Sequence, residues 1–259
     1  MSFLNNFYPQ DLGKLLAGMN CEKNHVGCST AGVYRYYNER ISYYLKIQPA
    51  SHGLEKEHEI IGWLQNRLPV PKIIYFNSYN GFDYMLMTEI DGEILCSDNL
   101  ISKPEETVKL LADGIKMIKS IPIDDCPFDN RFEVKLKEAL YNIENDLVDM
   151  SDWEKNNRYN TPQGLLEYLK NNKPKTYTPA FTHGDYCLPN ILCKDGKVNG
   201  FIDLGRSGIA DIYQDIALCV RSLKHNFGTD KYTDLFFEHL EIKPDWERID
   251  YYILLDELF

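Results

Sequence analysis

Two apolar runs, Ile191-Leu192-Cys193 and Val198-Asn199-Gly200-Phe201-Ile202-Asp203, flank Lys194-Asp195-Gly196-Lys197. Asp-Gly tolerates positive φ at both central positions of a tight two-residue turn, so the chain is expected to double back here as a hairpin. That turn brings Asn190, at the start of one strand, near Asp203, at the end of the other, so that an amide and a carboxylate can share one cation. Immediately upstream, Phe181-Thr182-His183-Gly184-Asp185-Tyr186-Cys187-Leu188-Pro189-Asn190 places a second carboxylate, Asp185, five residues before the amide. Asn190 and Asp203 offer the hard oxygens that magnesium prefers, and Asp185 has the position of a base or orienting group beside an attacking hydroxyl. These are the parts of a metal-assisted phosphoryl-transfer site. His183 is expected to hold the loop by hydrogen bonds, because Asp185 already stands where the hydroxyl proton must go.

The upstream chain supplies candidates for a nucleotide. Residues 9–20 read as a short helix, and Val26-Gly27-Cys28-Ser29-Thr30-Ala31-Gly32-Val33-Tyr34-Arg35-Tyr36 as strand, small-residue turn, strand. Such a turn lets backbone N–H groups approach a phosphate, with Ser29 adding a hydroxyl donor; a plain hairpin accounts for the same residues. Lys46 lies inside the β-rich run Ile41-Ser42-Tyr43-Tyr44-Leu45-Lys46-Ile47, where it must point outward or have an anionic partner. Residues 54–68 have helical periodicity, and Glu57 on that helix can orient Lys46 toward phosphates. Leu68-Pro69-Val70-Pro71 stops the helix, and residues 72–77 form a strand. A turn at Tyr79-Asn80-Gly81-Phe82 leads into the apolar strand 84–92, which ends in a polar, glycine-containing link. The backbone C=O and N–H groups of Glu89 and Ile90 at that link suit an adenine, although an ordinary strand-loop junction has the same composition. The chain therefore divides into a small β-rich lobe at 1–90 and a larger, mostly helical lobe at 91–259, an α+β arrangement.

From Pro104 onward the periodicity is helical. Val108, Leu111, Ile115 and Ile118 form one apolar face, and Phe132, Leu136, Leu140, Ile143 and Leu147 another, both expected in the core. Asp146, Asp149, Asp152 and Glu154 cluster around Trp153, either as a solvated face or as a surface for a polycationic sugar. Further helices are expected at 163–173, 211–226, 229–240 and 244–258. Asp256, Glu257 and a carboxylate at Phe259 would sit at the negative end of the last of them, which attracts cations.

The net charge of −11, from 28 basic and 39 acidic residues, disfavours nucleic acid and anionic membranes and favours cationic partners, although it also serves solubility alone. Seven cysteines without a CxxC pair fit reduced thiols in the cytoplasm better than a disulfide framework or a zinc site. No signal peptide, bilayer-spanning apolar run, internal repeat or obligatory protein partner is evident.

His183, Asp185 and Asn190 follow the plan of the protein-kinase catalytic loop, and Asp203-Leu204-Gly205 occupies the place of Asp-Phe-Gly. Together with Tyr44-Leu45-Lys46, Leu68-Pro69-Val70-Pro71-Lys72, Gly200-Phe201-Ile202-Asp203-Leu204-Gly205-Arg206-Ser207-Gly208, Asp211, Asp215-Ile216-Ala217 and Leu255-Asp256-Glu257-Leu258-Phe259, they make nearly the whole chain resemble the aminoglycoside phosphotransferases, specifically the 3′-phosphotransferases. The resemblance implies a two-lobed protein-kinase-like fold and transfer of the γ-phosphoryl group of ATP, or of GTP, to the 3′-hydroxyl of an aminoglycoside, conferring resistance. It implies that Lys46 holds the α/β-phosphates and Glu57 orients it. Tyr44 would stack near adenine with Met87 behind it, Asn190 and Asp203 would bind Mg2+, and Asp185 would orient or deprotonate the hydroxyl. The drug's ammonium groups would meet Glu154, Asp256, Glu257 and the Phe259 carboxylate, and Arg206 would pair with an acidic group near that end. The chain departs from some relatives at Ser151, where they carry a second acid, and at Tyr186-Cys187-Leu188-Pro189, where another branch is acidic. Both departures bear on the range of drugs. The remaining readings are a kinase of the same fold acting on another small alcohol, such as choline, an amino alcohol or another antibiotic, and a non-catalytic nucleotide-binding protein.

Overall fold

The computed structural model describes residues 8–23, 32–50, 53–153 and 159–259. In chain order the elements are α1 (Gln10–Leu15), β1 (Asn20–Lys23), β2 (Gly32–Tyr37), β3 (Ser42–Pro49), α2 (Leu54–Leu64), β4 (Ile73–Tyr79), β5 (Phe82–Thr88), β6 (Glu93–Ile94), α3 (Asp98–Ile101) and α4 (Pro104–Lys119). They continue with α5 (Phe132–Glu144), α6 (Pro162–Asn171), β7 (Pro179–Thr182), β8 (Ile191–Lys194), β9 (Lys197–Phe201), β10 (Gly208–Asp211), α7 (Tyr213–Phe227), α8 (Thr233–Leu240) and α9 (Trp246–Asp256). The described residues fall into two compact units. The first is drawn from the chain up to Glu93, with 192–194 and 199–205; the second from 94–191, 195–198 and 206–259.

The first unit is built on a five-stranded antiparallel sheet in the order β1-β2-β3-β5-β4. Alternation along the strands separates two functions. On one face Tyr36, Leu45, Tyr84 and Leu86 bury themselves against Leu12 and Leu16. On the other, β3 and β5 pair Tyr44 with Met87 and Lys46 with Met85. Helix α2 packs behind β4 and β5 through buried Leu54, Ile60, Ile61 and Leu64, each worth about 1.5–3 kcal/mol when removed from water. The sheet thus turns one side of β3 into core and leaves Tyr44 and Lys46 on the side that faces α2.

Several boundaries differ from those expected. Helix α1 stops at Leu15, with Gly18 in the left-handed region at φ 78°, and β1 begins only two residues later and pairs with β2. The turn expected to carry Ser29 lies outside the described residues. Helix α2 ends at Leu64, where Gln65 leaves helical geometry and its side-chain amide donates back to the Ile61 carbonyl and forward to the Pro71 carbonyl. The first unit extends past the expected division at 90/91 and takes in the strand segments 192–194 and 199–205. Their packing explains why: Phe201 N–H donates to Pro69 O at 2.9 Å, Asn199 donates to Asp91 O at 2.6 Å, and a Cβ on Gly200 would lie 2.6 Å from Ile90 Cγ2.

The second unit is mainly helical. The apolar face of α4 is buried as its period predicts, through Val108, Leu111, Ile115 and Ile118. The face expected on α5 is only partly so: Leu136, Ala139 and Ile143 are buried, whereas Leu140 and Leu147 are exposed. Leu147 lies beyond the helix, which ends at Glu144 before Asp146 turns left-handed at φ 54°. Residue 211, expected to start a helix, ends β10 instead, which pairs antiparallel with β7. Buried Asp211 then accepts from Arg248 Nε at 3.1 Å, with the guanidinium 3.8 Å above the Tyr213 ring, fastening α9 to the strand. Removing one partner of such a buried pair costs about 3–5 kcal/mol.

Candidate active-site residues

The first unit holds a charged cluster. Lys46 Nζ lies 2.7 Å from Glu57 Oε1 and 3.0 Å from Asp203 Oδ1. Glu57 Oε1 also accepts the Leu204 N–H at 3.3 Å, so one carboxylate ties the lysine to the Asp203-Leu204-Gly205 turn. Burial alone would lower the Lys46 pKa, but the Glu57 and Asp203 charges outweigh it and hold the ammonium above its ordinary range. Lys46 is therefore a fixed cation on the α2 side of β3. The Asp-Gly hairpin forms as expected, with Asp195 at φ 51° and Gly196 at 69°, and β9 delivers Asp203, itself left-handed at φ 61°.

Around this cluster, Tyr44 sits directly across from Met87 and from Arg35 in the sheet. The Glu89 carboxylate is held by Arg35 at 2.9 Å, and its N–H donates to Ser42 O at 3.1 Å. Of the backbone groups expected to meet an adenine, the Glu89 donor is already used within the sheet.

The second unit holds the loop between β7 and β8. The Asp185 carboxylate is fixed from two sides: Asn190 Nδ2 donates to its Oδ2 at 2.9 Å, and Cys187 Sγ donates to its Oδ1 at 3.7 Å. The same Asn190 amide nitrogen donates to Asp185 O at 2.9 Å, so both of its hydrogens are spent on Asp185 and Oδ1 is the atom left to act as an acceptor. His183 is fully buried, and its Nδ1 accepts the Asp185 N–H at 3.3 Å, which is the holding role expected of it. Beneath the loop, buried Asp215 accepts the His183 N–H at 2.7 Å and the Gly184 N–H at 2.8 Å. Burial pushes the Asp215 pKa up to about 7; the Gly184 and His183 N–H groups oppose the shift and the Asp185 charge adds to it. Gly184 is required where it stands: at φ 84°, its Cβ would fall 1.9 Å from Arg206 O.

Tyr186 and Leu188, within the apolar stretch between Asp185 and Asn190, are buried core residues, and Tyr186 donates to Leu111 O at 2.7 Å. Only Cys187 and Pro189 of that stretch are partly exposed. Arg206 pairs with Asp256 at 3.3 Å and donates to Phe259 O at 3.1 Å. Asp256 also pairs with Arg221. Glu257 is buried and its carbonyl accepts from Trp153 Nε1 at 2.8 Å. The acidic tip of α9 is therefore already met by two guanidinium groups. Beside it a shallow cavity of about 350 Å³ is lined by Lys137, Glu138, Tyr141, Asn142 and Phe259. Glu154 lies outside the described residues.

Sequence reasoning did not single out Asn130, Ser207, Arg221 or Ser222. Asn130 donates to Arg206 O at 2.7 Å, Ser207 to His183 O at 2.8 Å, and Ser222 Oγ accepts the Leu188 N–H at 3.1 Å. These contacts join distant stretches and leave no local pattern. Asp215 did leave one, a carboxylate on an otherwise apolar helix face.

The donor set suits magnesium. Among the described residues no three His, Cys, Asp or Glu side chains gather to hold a metal by themselves. Magnesium keeps several waters and takes further oxygens from phosphates, so it asks only one or two protein ligands, and an Asp carboxylate with an Asn amide oxygen are of the right hardness.

Residues 21–252 match a family model described as a phosphotransferase enzyme family. The chain is 43% identical to an aminoglycoside 3′-phosphotransferase of Enterococcus faecalis, with 96% of this chain and 97% of that one covered, and equally to one of Staphylococcus aureus. A third, from Niallia circulans, is 39% identical with 97% of each covered. Among solved structures, an aminoglycoside 3′-phosphotransferase of type VIII aligns with a TM-score of 0.85 at 26% identity, over 96% of this chain and 98% of that one. An aminoglycoside phosphotransferase of Streptomyces rimosus, solved with ADP and streptomycin, aligns with a TM-score of 0.81 at 25% identity, over 100% and 99%.

Proposed function

The chain belongs to the aminoglycoside 3′-phosphotransferase family, and from that premise we propose that it transfers the γ-phosphoryl group of ATP to the 3′-hydroxyl of an aminoglycoside in the cytoplasm, with antibiotic resistance as the consequence. The observation that carries this reading is the Lys46 ammonium held between Glu57 at 2.7 Å and Asp203 at 3.0 Å. A half-buried lysine kept charged and aimed by one carboxylate is what a nucleotide's α/β-phosphates require.

In this reading Tyr44 and Met87 flank the adenine, and the Glu89 carbonyl and the Ile90 backbone bond to its edge. Asp185 accepts the proton of the sugar hydroxyl as that oxygen bonds to the γ-phosphorus; the bond from phosphorus to the β-phosphate oxygen breaks, and its electron pair leaves with ADP. Asn190 and Asp203 would hold Mg2+, which when bound neutralises charge on the phosphates. The acceptor's ammonium groups meet Glu154, Asp256, Glu257 and Phe259. At Asp256 they compete with Arg206 and Arg221, and this competition gives the α9 tip a say in which amines fit.

Replacing Asp185 by alanine tests the assignment. Kanamycin turnover should fall by about 10³-fold, within the range for a lost general base, while ATP binding changes little. Unaltered turnover contradicts the proposal.

A further inference from the structure

The backbone that leaves the Asp203-Leu204-Gly205 turn enters the second unit at Arg206, and what receives it there is Asn130. This residue lies in the link before α5 and is 1% exposed. Its side-chain amide donates to Arg206 O at 2.7 Å. Its backbone N–H donates to Ile209 O at 2.9 Å, and Ile209 N–H donates in turn to Phe128 O at 2.8 Å. Gly208 is pressed against the same link: a Cβ there would stand 2.8 Å from Asn130 Nδ2 and 2.9 Å from Phe128 O. Residues 206–209 are thus gripped along one side by 128–130.

Their other side is the catalytic loop. The Arg206 carbonyl that Asn130 holds is the one against which Gly184 packs, and the next residue, Ser207, donates to His183 O at 2.8 Å. His183 and Gly184 immediately precede Asp185. The Asn130 amide therefore fixes one carbonyl that the Asp185 loop leans on and the chain bearing Asp203 passes through. Loss of the amide would leave this part-buried carbonyl without its donor, which makes the contact costly to break and narrow in its geometry.

We propose that Asn130 is a positioning residue for phosphoryl transfer: by holding the Arg206 carbonyl it sets the placement of the Asp185 loop, and it touches neither substrate. The inference rests on the phosphotransferase reading above, and wild-type turnover of kanamycin tests that reading separately.

The experiment compares wild type with Asn130→Asp, which keeps the shape and loses the amide donor, and Asn130→Ala, which loses both. Leu165→Ala serves as a control that weakens the buried side of α6 in the same unit. Steady-state kinetics are normalised to the folded fraction. Both Asn130 variants should lose about tenfold or more in kcat, with KM for ATP and for kanamycin within about twofold, while the control keeps kcat per folded molecule. Unchanged kcat in folded Asn130→Asp overturns the proposal. So does a loss shared by all three variants in proportion to their stability, since that would make Asn130 a packing residue only. Failure of wild type to phosphorylate kanamycin would instead overturn the phosphotransferase reading.

Discussion

The two clusters that carry the candidate chemistry are held in opposite ways. In the first unit, Lys46, Glu57 and Asp203 are fixed by charge, with two ionic contacts converging on one ammonium. In the second, the Asp185 loop is fixed by hydrogen bonds with neutral donors: backbone N–H groups on Asp215, the Asn190 amide on Asp185, and the Ser207 hydroxyl on His183 O. The difference matches what each part has to do in the proposed reaction. A cation that receives phosphates must exchange one set of negative partners for another, which ionic contacts allow. A base that receives one proton must be in place before the substrate arrives, and directional hydrogen bonds to a rigid backbone do that with no reorganisation.

Lys46→Met is the hardest blow to this contrast. It leaves Glu57 buried without its cation and removes the phosphate contact, so turnover should fall by about 10²-fold or more and the first unit should lose about 3 kcal/mol. Adding Glu57→Gln should return part of the stability and none of the turnover, because the buried charge goes and the phosphate contact stays absent. Thermal unfolding with paired kinetics checks both; a stable, active Lys46→Met would show that charge does not organise this cluster.

Asp215→Asn is a milder break in the second unit. An amide accepts one of the two N–H bonds and sets its own NH₂ against the other, so kcat should drop by about 10–100-fold while ATP binding holds. Its pH signature separates it from the charged cluster. Because burial raises the Asp215 pKa in the folded protein from 3.8 to about 7, the unfolded chain releases this proton first. Wild-type stability should therefore fall as pH rises from about 4 to about 7 and level off above, by an amount on the order of 4 kcal/mol. The difference between wild type and Asp215→Asn in urea unfolding across that range measures the slope, and parallel curves would remove Asp215 from the account.

What was readable in the sequence followed from local rules. The Asp-Gly turn must have left-handed residues, and Asp195 and Gly196 have them. A lysine inside an apolar strand needs a carboxylate, and Lys46 has two. The spacing from His183 to Asn190 is short enough for one loop, and the loop closes on itself through Asn190 and Asp185. The protein-kinase-like fold was legible through the family resemblance that these motifs carry, and solved relatives share it. What could not be read depends on residues far apart in the chain. Asn130 meets a carbonyl 76 positions away, and no pattern around Phe128-Asp129-Asn130 announces it. Leu140 and Leu147 keep a helical period whose apolar face the fold buries only in part. The Arg206–Asp256 pair was expected from the resemblance, whereas Arg221, which is silent in the local sequence, also pairs with Asp256 at the acidic α9 tip.

The central claim is that the chain phosphorylates its acceptor at one hydroxyl. It is tested most directly by incubating the purified protein with ATP, magnesium and either kanamycin or its 3′-deoxy analogue, and following ADP release and the phosphorylated product. The account predicts stoichiometric phosphate on the 3′-oxygen of kanamycin and none on the analogue; equal phosphorylation of both compounds would contradict it.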